Sequence, residues 1–415
     1  MAGADPAGLE AVFREQWGRL VALLTAQYRR LDLAEDALGD AFETAARRWP
    51  AQGVPDNPPA WLLTAARRRV LDRLRAEAVA ARKEPLLLVD AEVSAAAART
   101  MVDPGGLVGD ERLRLVLLCA HPALAAETAA ALSLRLVVGV STADVARLFL
   151  VPEATMAARL TRAKHRLVAS GVPFAVPPAD VLAQRLDVVC AVAYLAFTAG
   201  YAPSSGDDVI RVALAGEAVR LLRVVRELGP PTAAVDALLA LMLLQHSRRD
   251  ARVGPDGLPV LLADQDRGRW RADEVDEGLR LLAPLVPVVS GGAAEEYLLQ
   301  ALIAAEHALA PDAADTRWDR IAGHYAELEA LTGSPVVRLN RAVAVAEAGS
   351  AHDGLRMLDG LDAALPHSHR LPAVRGELLA RAGEPAAART AFATAIERCV
   401  NTAERALLEA RLARL

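Results

Sequence analysis

Apolar side chains recur at intervals of three and four residues along most of this 415-residue chain. In the first such stretch, LEAVFREQWGRLVALLTAQYRR, the apolar positions are Val12, Phe13, Trp17, Leu20, Val21 and Leu24. The spacing predicts an amphipathic helix. It returns in DLAEDALGDAFETAARRW, with Asp32 as the expected N-cap, and in AWLLTAARRRVLDRLR after a Pro-rich loop at 50–59. The pattern therefore predicts three or four helices over residues 9–80.

A second periodic stretch, STADVARLFLVPEATMAARLTRAKHRL, reads as two short helices joined by a turn. Ser141 or Thr142 can cap the first helix, and Pro152 with Glu153 suits the start of the second. An inward stripe on the second helix, at steps of four, three and four residues, is formed by Met156, Leu160, Ala163 and Leu167. This pattern is typical of a helix-turn-helix. The motif lies at the C-terminal end of a compact helical domain predicted over residues 110–170.

The periodicity fades between these two stretches, over residues 81–109, where VSAAAART is followed by DPGG. We interpret this segment as a linker with a coil dimension of ~30 Å and a stretched limit of ~95 Å. Two modules joined in this way can act some distance apart.

The second half of the chain, residues 180–415, is Ala- and Leu-rich and again helical in pattern. Near its end, PVVRLNRAVAVAEAGSAHDGLRMLDGL aligns with HRLPAVRGELLARAGEPAAARTAFATA at an offset of 34 residues. The matched pairs are Ala342 with Gly376, Gly349 with Gly383, Gly354 with Ala388, and Leu358 with Phe392. This offset is the tetratricopeptide period, and small residues where two helices touch are what stacking requires. The whole pattern predicts an all-α fold.

Composition and charge mainly exclude other classes of protein. The net charge of −5 argues against non-specific binding of the whole chain to nucleic acid or anionic membranes. The three cysteines, Cys119, Cys190 and Cys399, are far apart and lack Cys-x-x-Cys spacing, so neither a disulfide framework nor a zinc site is expected. The first residues lack the features of a signal peptide. The uncharged stretch at 188–203 is shorter than the ~20 residues that span a bilayer, so we interpret it as a buried helix. We therefore expect a cytoplasmic protein without membrane association.

Positive charge is nevertheless concentrated in two places. Residues 153–170 hold four Lys or Arg and one acid, and residues 60–83 hold seven Lys or Arg and two acids. Guanidinium groups beside small residues on an exposed helix allow contact with the major groove and with phosphates. A solvated helix face is the alternative for a lone basic helix, but the capped helix and turn before the first cluster favour DNA. Trp61 could stack on unpaired bases or pack in the core. Because it lies on an apolar stripe of its helix, packing in the core is favoured.

Other candidate sites are weaker. No nucleophile–base set, phosphate loop or metal-ligand spacing is visible, so we predict no catalytic residue, metal or cofactor. In PHSHR, His367 and His369 lie two residues apart, but no nearby acid or cysteine completes a metal site, and a loop is favoured. The stretch LLADQDRGRW suits either a partner or ligand site or local ion pairs and helix caps. Its candidate residues are Asp264, Asp266, Arg267 and Trp270.

Residues 9–170 resemble the two-domain core of extracytoplasmic-function sigma factors. DLAEDALGDAFETAARRW looks like region 2.1 to 2.2, WLLTAARRRVLDRLR like regions 2.3 to 2.4, and VARLFLVPEATMAARLTRAKHRL like region 4.2. Joined to the repeat-bearing second half, the chain resembles the subgroup with a tetratricopeptide-like C-terminal extension. The resemblance implies a region-2 domain at 1–80, a linker at 81–109, a region-4 domain at 110–170 and an extension at 180–415.

What the resemblance implies is a subunit that directs RNA polymerase to promoters. Asp36 and Asp40 would dock on the β′ clamp helices of core RNA polymerase, with the β flap as a second polymerase contact. The −10 element would be recognised by the 50–59 loop and by Arg67, Arg68, Arg69, Arg73 and Arg75. The −35 element would be contacted by Thr155, Arg159, Arg162, Lys164 and Arg166.

Two other function classes remain as alternatives. A stand-alone helix-turn-helix regulator, with repeats that sense a peptide or small molecule, would bind its DNA site tightly without polymerase. An enzyme with a helical cover lacks a visible reactive set. The stretch DLAEDALGDAF predicts an acidic helix, which suits either a solvated face or docking to a basic protein partner. The sigma-factor hypothesis explains both basic clusters, this acidic helix and the linker together. A spacer of about 17 base pairs, ~58 Å of duplex, also lies within the stretched limit of the linker. On this hypothesis the extension regulates activity and has a protein or ligand partner.

Overall fold

The computed structural model describes residues 6–80, 105–201, 212–255 and 259–415. Regular structure in these ranges is helical, apart from one isolated antiparallel bridge between Val253 and Pro259. This confirms the predicted all-α fold. Most of the predicted 81–109 linker lies outside the described residues.

Contacts divide the chain into two compact units, Met1–Ala196 with Arg220–Pro230, and Phe197–Val219 with Pro231–Leu415. The first half of the chain forms α1 (Pro6–Tyr28), α2 (Leu31–Gln52), α3 (Pro58–Ala80), α4 (Gly105–Cys119), α5 (Ala126–Ser133), a π-helix (Leu134–Val138), α6 (Thr142–Leu148) and α7 (Glu153–Ala169). Two longer helices, α8 (Ala179–Tyr201) and α9 (Val212–Leu228), follow.

The remaining helices are α10 (Ala233–His246), α11 (Ala272–Leu282), α12 (Gly292–Leu309), α13 (Trp318–Thr332), α14 (Pro335–Ala348), α15 (Ala351–Met357), α16 (Leu361–Ala364), α17 (Arg370–Arg381), α18 (Pro385–Arg398) and α19 (Thr402–Ala413). Four short 3₁₀ turns, Arg249–Ala251, Leu262–Asp264, Arg267–Arg269 and Ala313–Asp315, connect some of them. The domain boundaries at 80, 110, 170 and 180 stay predictions.

The core of the first unit is built on α1, which packs against both α2 and the α4–π-helix segment. Trp17 is buried between Phe13 and Phe42, and its Nε1 donates a hydrogen bond to the Arg135 carbonyl at 3.1 Å. The helices on either side of the predicted linker therefore share one core. Burial of the aromatic and aliphatic stripe of α1 against both contributes to the apolar stabilisation of this unit.

Two local predictions on α2 are wrong. Helix α2 begins at Leu31, so Asp32 lies in its first turn rather than at the N-cap, where it accepts a hydrogen bond from Arg30 Nε at 3.0 Å. That hydrogen bond and the charge of Arg30 lower the pKa of Asp32. The helix also runs through Pro50 to Gln52 and closes with a bond from Gly53 N to Trp49 O at 2.9 Å. A proline near the C-terminal end removes only one amide donor, and the packing of Trp49 holds the turn.

The predicted helix-turn-helix is present as α6 and α7. The Ser141 side chain caps α6 by accepting from Asp144 N at 3.0 Å, as predicted. In the turn, Leu150 adopts a φ of 55°, a left-handed backbone conformation that is strained for a side chain of this size. The inward stripe of α7 is confirmed, because its buried residues are Met156, Leu160, Ala163 and Leu167.

Helix α8 is the one described helix that is long and apolar enough to cross a membrane. The window Ala179–Gly200 meets that criterion by length and composition, and 39% of it is buried within the structure. A core helix passes the same criterion, so this is weak evidence for a membrane span. The inward positions of α8 include Leu186, Val189 and Phe197, each at most 1% exposed. This matches the predicted buried helix.

In the second unit, α10 is buried on nearly every side, and later helices pack in neighbouring pairs. The predicted repeat falls on two such pairs, α14–α15 and α17–α18. A Cβ at Gly354 would lie 2.6 Å from the Ala342 carbonyl, and one at Gly376 would lie 3.0 Å from the Phe392 ring. These two glycines allow the helices of each pair to approach closely. Membership of the tetratricopeptide class stays a prediction.

Candidate nucleic-acid and polymerase interface

The exposed face of α7 is the first part of the candidate interface. Thr155, Arg162, His165 and Arg166 are exposed on it, opposite the buried stripe. Because the second helix of a helix-turn-helix is the one that enters the major groove, this face is shaped and charged to contact a duplex. Thr155, Arg162 and Arg166 are therefore accessible, and their contact with DNA stays a prediction.

Arg159, on the same helix, is already engaged. Its guanidinium lies 3.4 Å from the Glu127 carboxylate at the start of α5, and its side chain is 25% exposed against 65% for Glu127. A pair with such an exposed partner contributes little stability. Contact with DNA requires Arg159 to exchange this weak partner for a phosphate or a base.

Lys164 has a different environment, with side-chain exposure of only 13%. Its Nζ lies 2.7 Å from Glu35 Oε2 on α2, and Arg135 Nε lies 2.8 Å from the other oxygen of the same carboxylate. The Arg135 guanidinium also stacks over the Trp17 ring at 4.7 Å. One buried carboxylate thus balances two cations, and the three side chains join α2 to the helix-turn-helix segment. We call Glu35, Arg135 and Lys164 the Glu35 cluster.

Sequence reasoning missed Glu35 and Arg135. Glu35 stands in the acidic helix with the docking candidates, and it is separated from Lys164 by 129 residues. One signal could have marked it: Glu35 occupies an inward position among Leu31, Ala34 and Leu38, where an unpaired carboxylate would be costly.

The arginines of α3 divide between exposed and engaged side chains. Arg68 and Arg69 are exposed, and within the described ranges neither makes an ion pair. Arg67 is half-buried and donates from Nε to Gln27 Oε1 at 3.0 Å, and burial lowers the pKa of its guanidinium. Arg75 lies 3.4 Å from Asp72, one turn earlier on the same helix.

Arg73 connects the predicted DNA-binding helix with the predicted docking helix. Its guanidinium lies 2.9 Å from Asp36 and 3.8 Å from Asp40, and all three side chains are between 38% and 50% exposed. The two acidic candidates and this basic candidate partly neutralise one another. Their exposure keeps them accessible, since a surface pair of this kind exchanges partners at small cost.

The loop before α3 caps that helix and supports the core alternative for Trp61. Asn57 Oδ1 accepts a hydrogen bond from Ala60 N at 3.1 Å, as an N-terminal cap does. Trp61 is half-buried and packs edge-on against Trp49, with ring centroids 5.5 Å apart. The exposed Asp56 and Asn57 in the same loop leave its polar surface open.

Two arginines from later in the chain close the first unit. Arg185 on α8 donates to the Leu117 carbonyl near the end of α4, and Arg220 on α9 donates to the Val138 carbonyl at the end of the π-helix. Carbonyls at helix ends lack partners inside the helix, so these side chains supply them. Residues beyond 180 are therefore integral to the unit that carries the candidate interface.

The LLADQDRGRW stretch forms a structural corner in the second unit. Arg267 donates to the His307 carbonyl and, at 2.7 Å, to the Ala310 carbonyl, and its guanidinium stacks over Trp270 at 5.0 Å. Asp266 Oδ1 caps a short turn through Gly268 N at 2.9 Å. These contacts match the local capping alternative for Asp266 and Arg267.

Asp264 and Arg267 also line a cavity of about 590 Å³ in the second unit, together with His307 and Trp318. The pKa of His307 falls to about 4, because its ring is buried and the charges of Arg248 and Arg267 oppose protonation. The pairs Glu347–Arg381 and Glu377–Arg411 border the same cavity. A ligand of the extension would meet a wall of paired charges and apolar side chains here.

Three segments of the chain match known family models. Residues 13–79 match the family model described as Sigma-70 region 2, and residues 114–167 match Sigma-70, region 4. Residues 185–285 match a family of unknown function, DUF6596. A protein of Rhizobium meliloti (strain 1021) that is described as uncharacterized is 39% identical over 390 residues, covering 94% of this chain and 91% of the relative. No solved structure matches the chain significantly.

Proposed function

We infer, since the chain belongs to the sigma-70 family of RNA polymerase sigma factors, that it is of the extracytoplasmic-function type and that its C-terminal extension regulates it. Regions 2 and 4 of this family direct core RNA polymerase to promoters for transcription initiation. The family consists of DNA-binding transcription factors rather than enzymes. The observation that carries the proposal is the exposed Thr155, Arg162 and Arg166 face on the second helix of the region-4 match.

At the −35 element, this face contacts the major groove and its phosphates. Arg162 and Arg166 supply local positive charge in a chain whose net charge is negative. Small neighbours such as Ala158 permit close approach to the groove. Arg159 and Lys164 join the contact after they leave Glu127 and Glu35.

At the −10 element, the exposed Arg68 and Arg69 and the loop around Asn57 are the strongest candidates. Arg67, Arg73 and Arg75 extend the basic face once their present partners are exchanged. Asp36 and Asp40 dock on the β′ clamp helices of polymerase, with the β flap as the second contact. Both acids pair with Arg73, so when they dock on polymerase, Arg73 is released and can contact DNA.

The free chain, on this proposal, is a closed form. The Glu35 cluster and the shared core around Trp17 hold α2 and the helix-turn-helix segment together, whereas a promoter spacer of ~58 Å requires them to separate. Core RNA polymerase supplies the surfaces that compensate for the lost contacts. The protein acts with it in the cytoplasm.

The extension controls that opening. Arg185 and Arg220 tie it to helix ends of the region-4 segment, so a partner or ligand of the extension can change the stability of the closed form. The corner formed by Asp264, Asp266, Arg267 and Trp270, with its cavity, is the proposed place for that partner.

The direct test is reconstituted transcription. The purified full chain is mixed with core RNA polymerase and assayed on promoters of neighbouring genes, with core enzyme alone as the control. Specific start sites that require both components support the proposal. Tight, sequence-specific footprints without polymerase, and no start sites with it, would instead favour the stand-alone regulator.

Regulation by the extension has its own test in the full chain. Arg220→Ala removes the bond to Val138 and should change transcript yield, because it loosens the closed form. Arg223→Ala, at an exposed position one turn later on α9, is the matched control. Equal yields from both variants under all conditions would remove the regulatory role of this contact.

A further inference from the structure

Three side chains from separate helices of the second unit meet at one point. His369 immediately precedes α17, Cys399 immediately follows α18, and Glu404 lies in the first turn of α19. Their nearest ligand atoms, a ring nitrogen, Sγ and a carboxylate oxygen, all lie within 4.8 Å of one another. In the part of the chain that the structure describes, no other trio of His, Cys, Asp or Glu converges so closely. We call these three residues the His–Cys–Glu cluster.

The donor set suits zinc. Nitrogen, thiolate and carboxylate are all common ligands of this ion, and three protein ligands leave a fourth position for water. A tetrahedral zinc with bonds of about 2.0 to 2.3 Å keeps its ligand atoms roughly 3.3 to 3.8 Å apart. His369 Nε2 and Glu404 Oε2 are now 2.9 Å apart. Adjustments of about an ångström in side-chain position therefore suffice to admit the ion.

Burial and access also fit such a site. Cys399 is fully buried, whereas the side chains of His369 and Glu404 are 21% and 37% exposed. The sulfur thus forms the floor of the cluster, and the other two donors form its solvent-facing edge. An ion can enter from that edge and keep one water ligand there.

The surroundings hold the donors in place. Asn401 Oδ1 accepts from Glu404 N at 3.0 Å, and the Asn401 carbonyl accepts a hydrogen bond from Cys399 Sγ at 3.4 Å. Arg405 Nε donates to the Cys399 carbonyl at 3.1 Å, which orients the loop between α18 and α19. Burial raises the pKa of the Cys399 thiol, so zinc must displace its proton, and the nearby charges of Arg370 and Arg405 oppose a cation. Thiolate and carboxylate together balance the two charges of the ion.

We propose that His369, Cys399 and Glu404 form a zinc-binding site that joins the ends of α17, α18 and α19. The ion binds as Zn²⁺ and displaces to solvent the thiol proton of Cys399 and the Nε2 proton that His369 shares with Glu404 in the ion pair, without any change in oxidation state. The ion then links the ends of α17, α18 and α19, which otherwise meet through the His369–Glu404 and Glu377–Arg411 ion pairs and apolar packing. Zinc occupancy therefore stabilises the C-terminal end of the extension.

The test uses the tag-free full chain, stripped with a chelator and titrated with Zn²⁺ or, as a spectroscopic probe, Co²⁺. We expect one equivalent to bind, with a thiolate-to-cobalt charge-transfer band and the visible bands of a four-coordinate site. Cys399→Ser should abolish the charge-transfer band, and His369→Gln should weaken binding at least tenfold. His367→Gln, an exposed histidine two residues away, is the matched control and should bind as the parent does.

Two further readouts separate a site from a misfolded variant. Zinc should raise the melting temperature of the parent and of Cys119→Ala, but not that of Cys399→Ser. If Cys399→Ser fails to fold, Glu404→Gln carries the same expectation of weakened binding with the thiol intact. Absence of one-equivalent binding in the parent, or a cobalt band that persists in Cys399→Ser, overturns the proposal and leaves the His369–Glu404 ion pair beside a buried thiol.

Discussion

Helices α3 and α7 both carry basic clusters, but their cations have different partners. On α3, Arg73 and Arg75 pair with exposed carboxylates of the region-2 segment itself. On α7, Lys164 is 13% exposed and pairs with the buried Glu35, a residue of a different segment. The exposed pairs leave the α3 surface available to a nucleic acid, whereas the buried pair makes one cation of α7 part of the fold. The same local charge pattern therefore has different consequences, and the exposure of the partner decides which.

The largest expected effect tests this difference directly. Glu35→Ala leaves the largely covered Lys164 and Arg135 side chains without this counter-charge and should lower the free energy of unfolding by about 3–5 kcal/mol. Urea unfolding of the full chain, followed by circular dichroism, measures the change. Asp72→Asn, which breaks the exposed pair with Arg75, is the control and should have little effect. Equal losses in both variants would mean that water solvates the Glu35 cluster.

A second variant pair asks whether the remaining cations of α7 act on DNA. Arg162→Ala and Arg159→Ala should each weaken binding of the −35 element by about 1–3 kcal/mol in the polymerase complex. Footprinting at fixed salt measures the loss. Glu127→Gln releases Arg159 without removing it and should not weaken binding. Unchanged footprints for both arginine variants would discard the assigned contacts.

For the arginines of α3, the expected loss of DNA affinity is smaller and does not depend on the DNA sequence. The double variant Arg68→Gln, Arg69→Gln should make the slope of log affinity against log salt less steep by about 2, since each phosphate contact contributes about 0.9. The slope is measured with the polymerase complex on one promoter across a salt series. Arg356→Ala, an exposed arginine of the second unit, serves as the control. A slope equal to that of the parent would exclude phosphate contacts at positions 68 and 69.

The smallest expected effect on stability belongs to Asp36. Asp36→Asn removes a pair with Arg73 that is about half exposed and should change the free energy of unfolding by less than about 1 kcal/mol. The same variant should weaken binding to core polymerase if Asp36 docks on the clamp helices. Unchanged polymerase affinity would contradict the docking assignment, and a large stability loss would contradict the comparison between α3 and α7.

Periodic patterns predicted local structure well. The stripe from Met156 to Leu167 is buried as expected, because helical periodicity places these positions on one side whatever they pack against. The cap at Ser141 is confirmed for a similar reason, since it depends only on atoms three residues away. Helix ends were less predictable, because the packing of Trp49 carries α2 past Pro50.

Long-range pairing could not be predicted from local sequence. Arg159 and Lys164 meet acids 32 and 129 residues away, so their engagement depends on how the helices pack. For the same reason, the cluster around His369 could not be predicted from local sequence. No acid or cysteine stands near it in the sequence, yet the fold brings Cys399 and Glu404 from 30 and 35 residues later.

Glu35 acts as an internal counterion for the helix-turn-helix segment. On the proposed function, a phosphate replaces this carboxylate when a duplex takes Lys164, and Glu35 then keeps the Arg135 guanidinium as its counter-charge. Opening therefore redistributes charge between two surfaces while the net charge of the chain stays the same. In that proposal, DNA and the protein's own acidic helix compete for a single ammonium group.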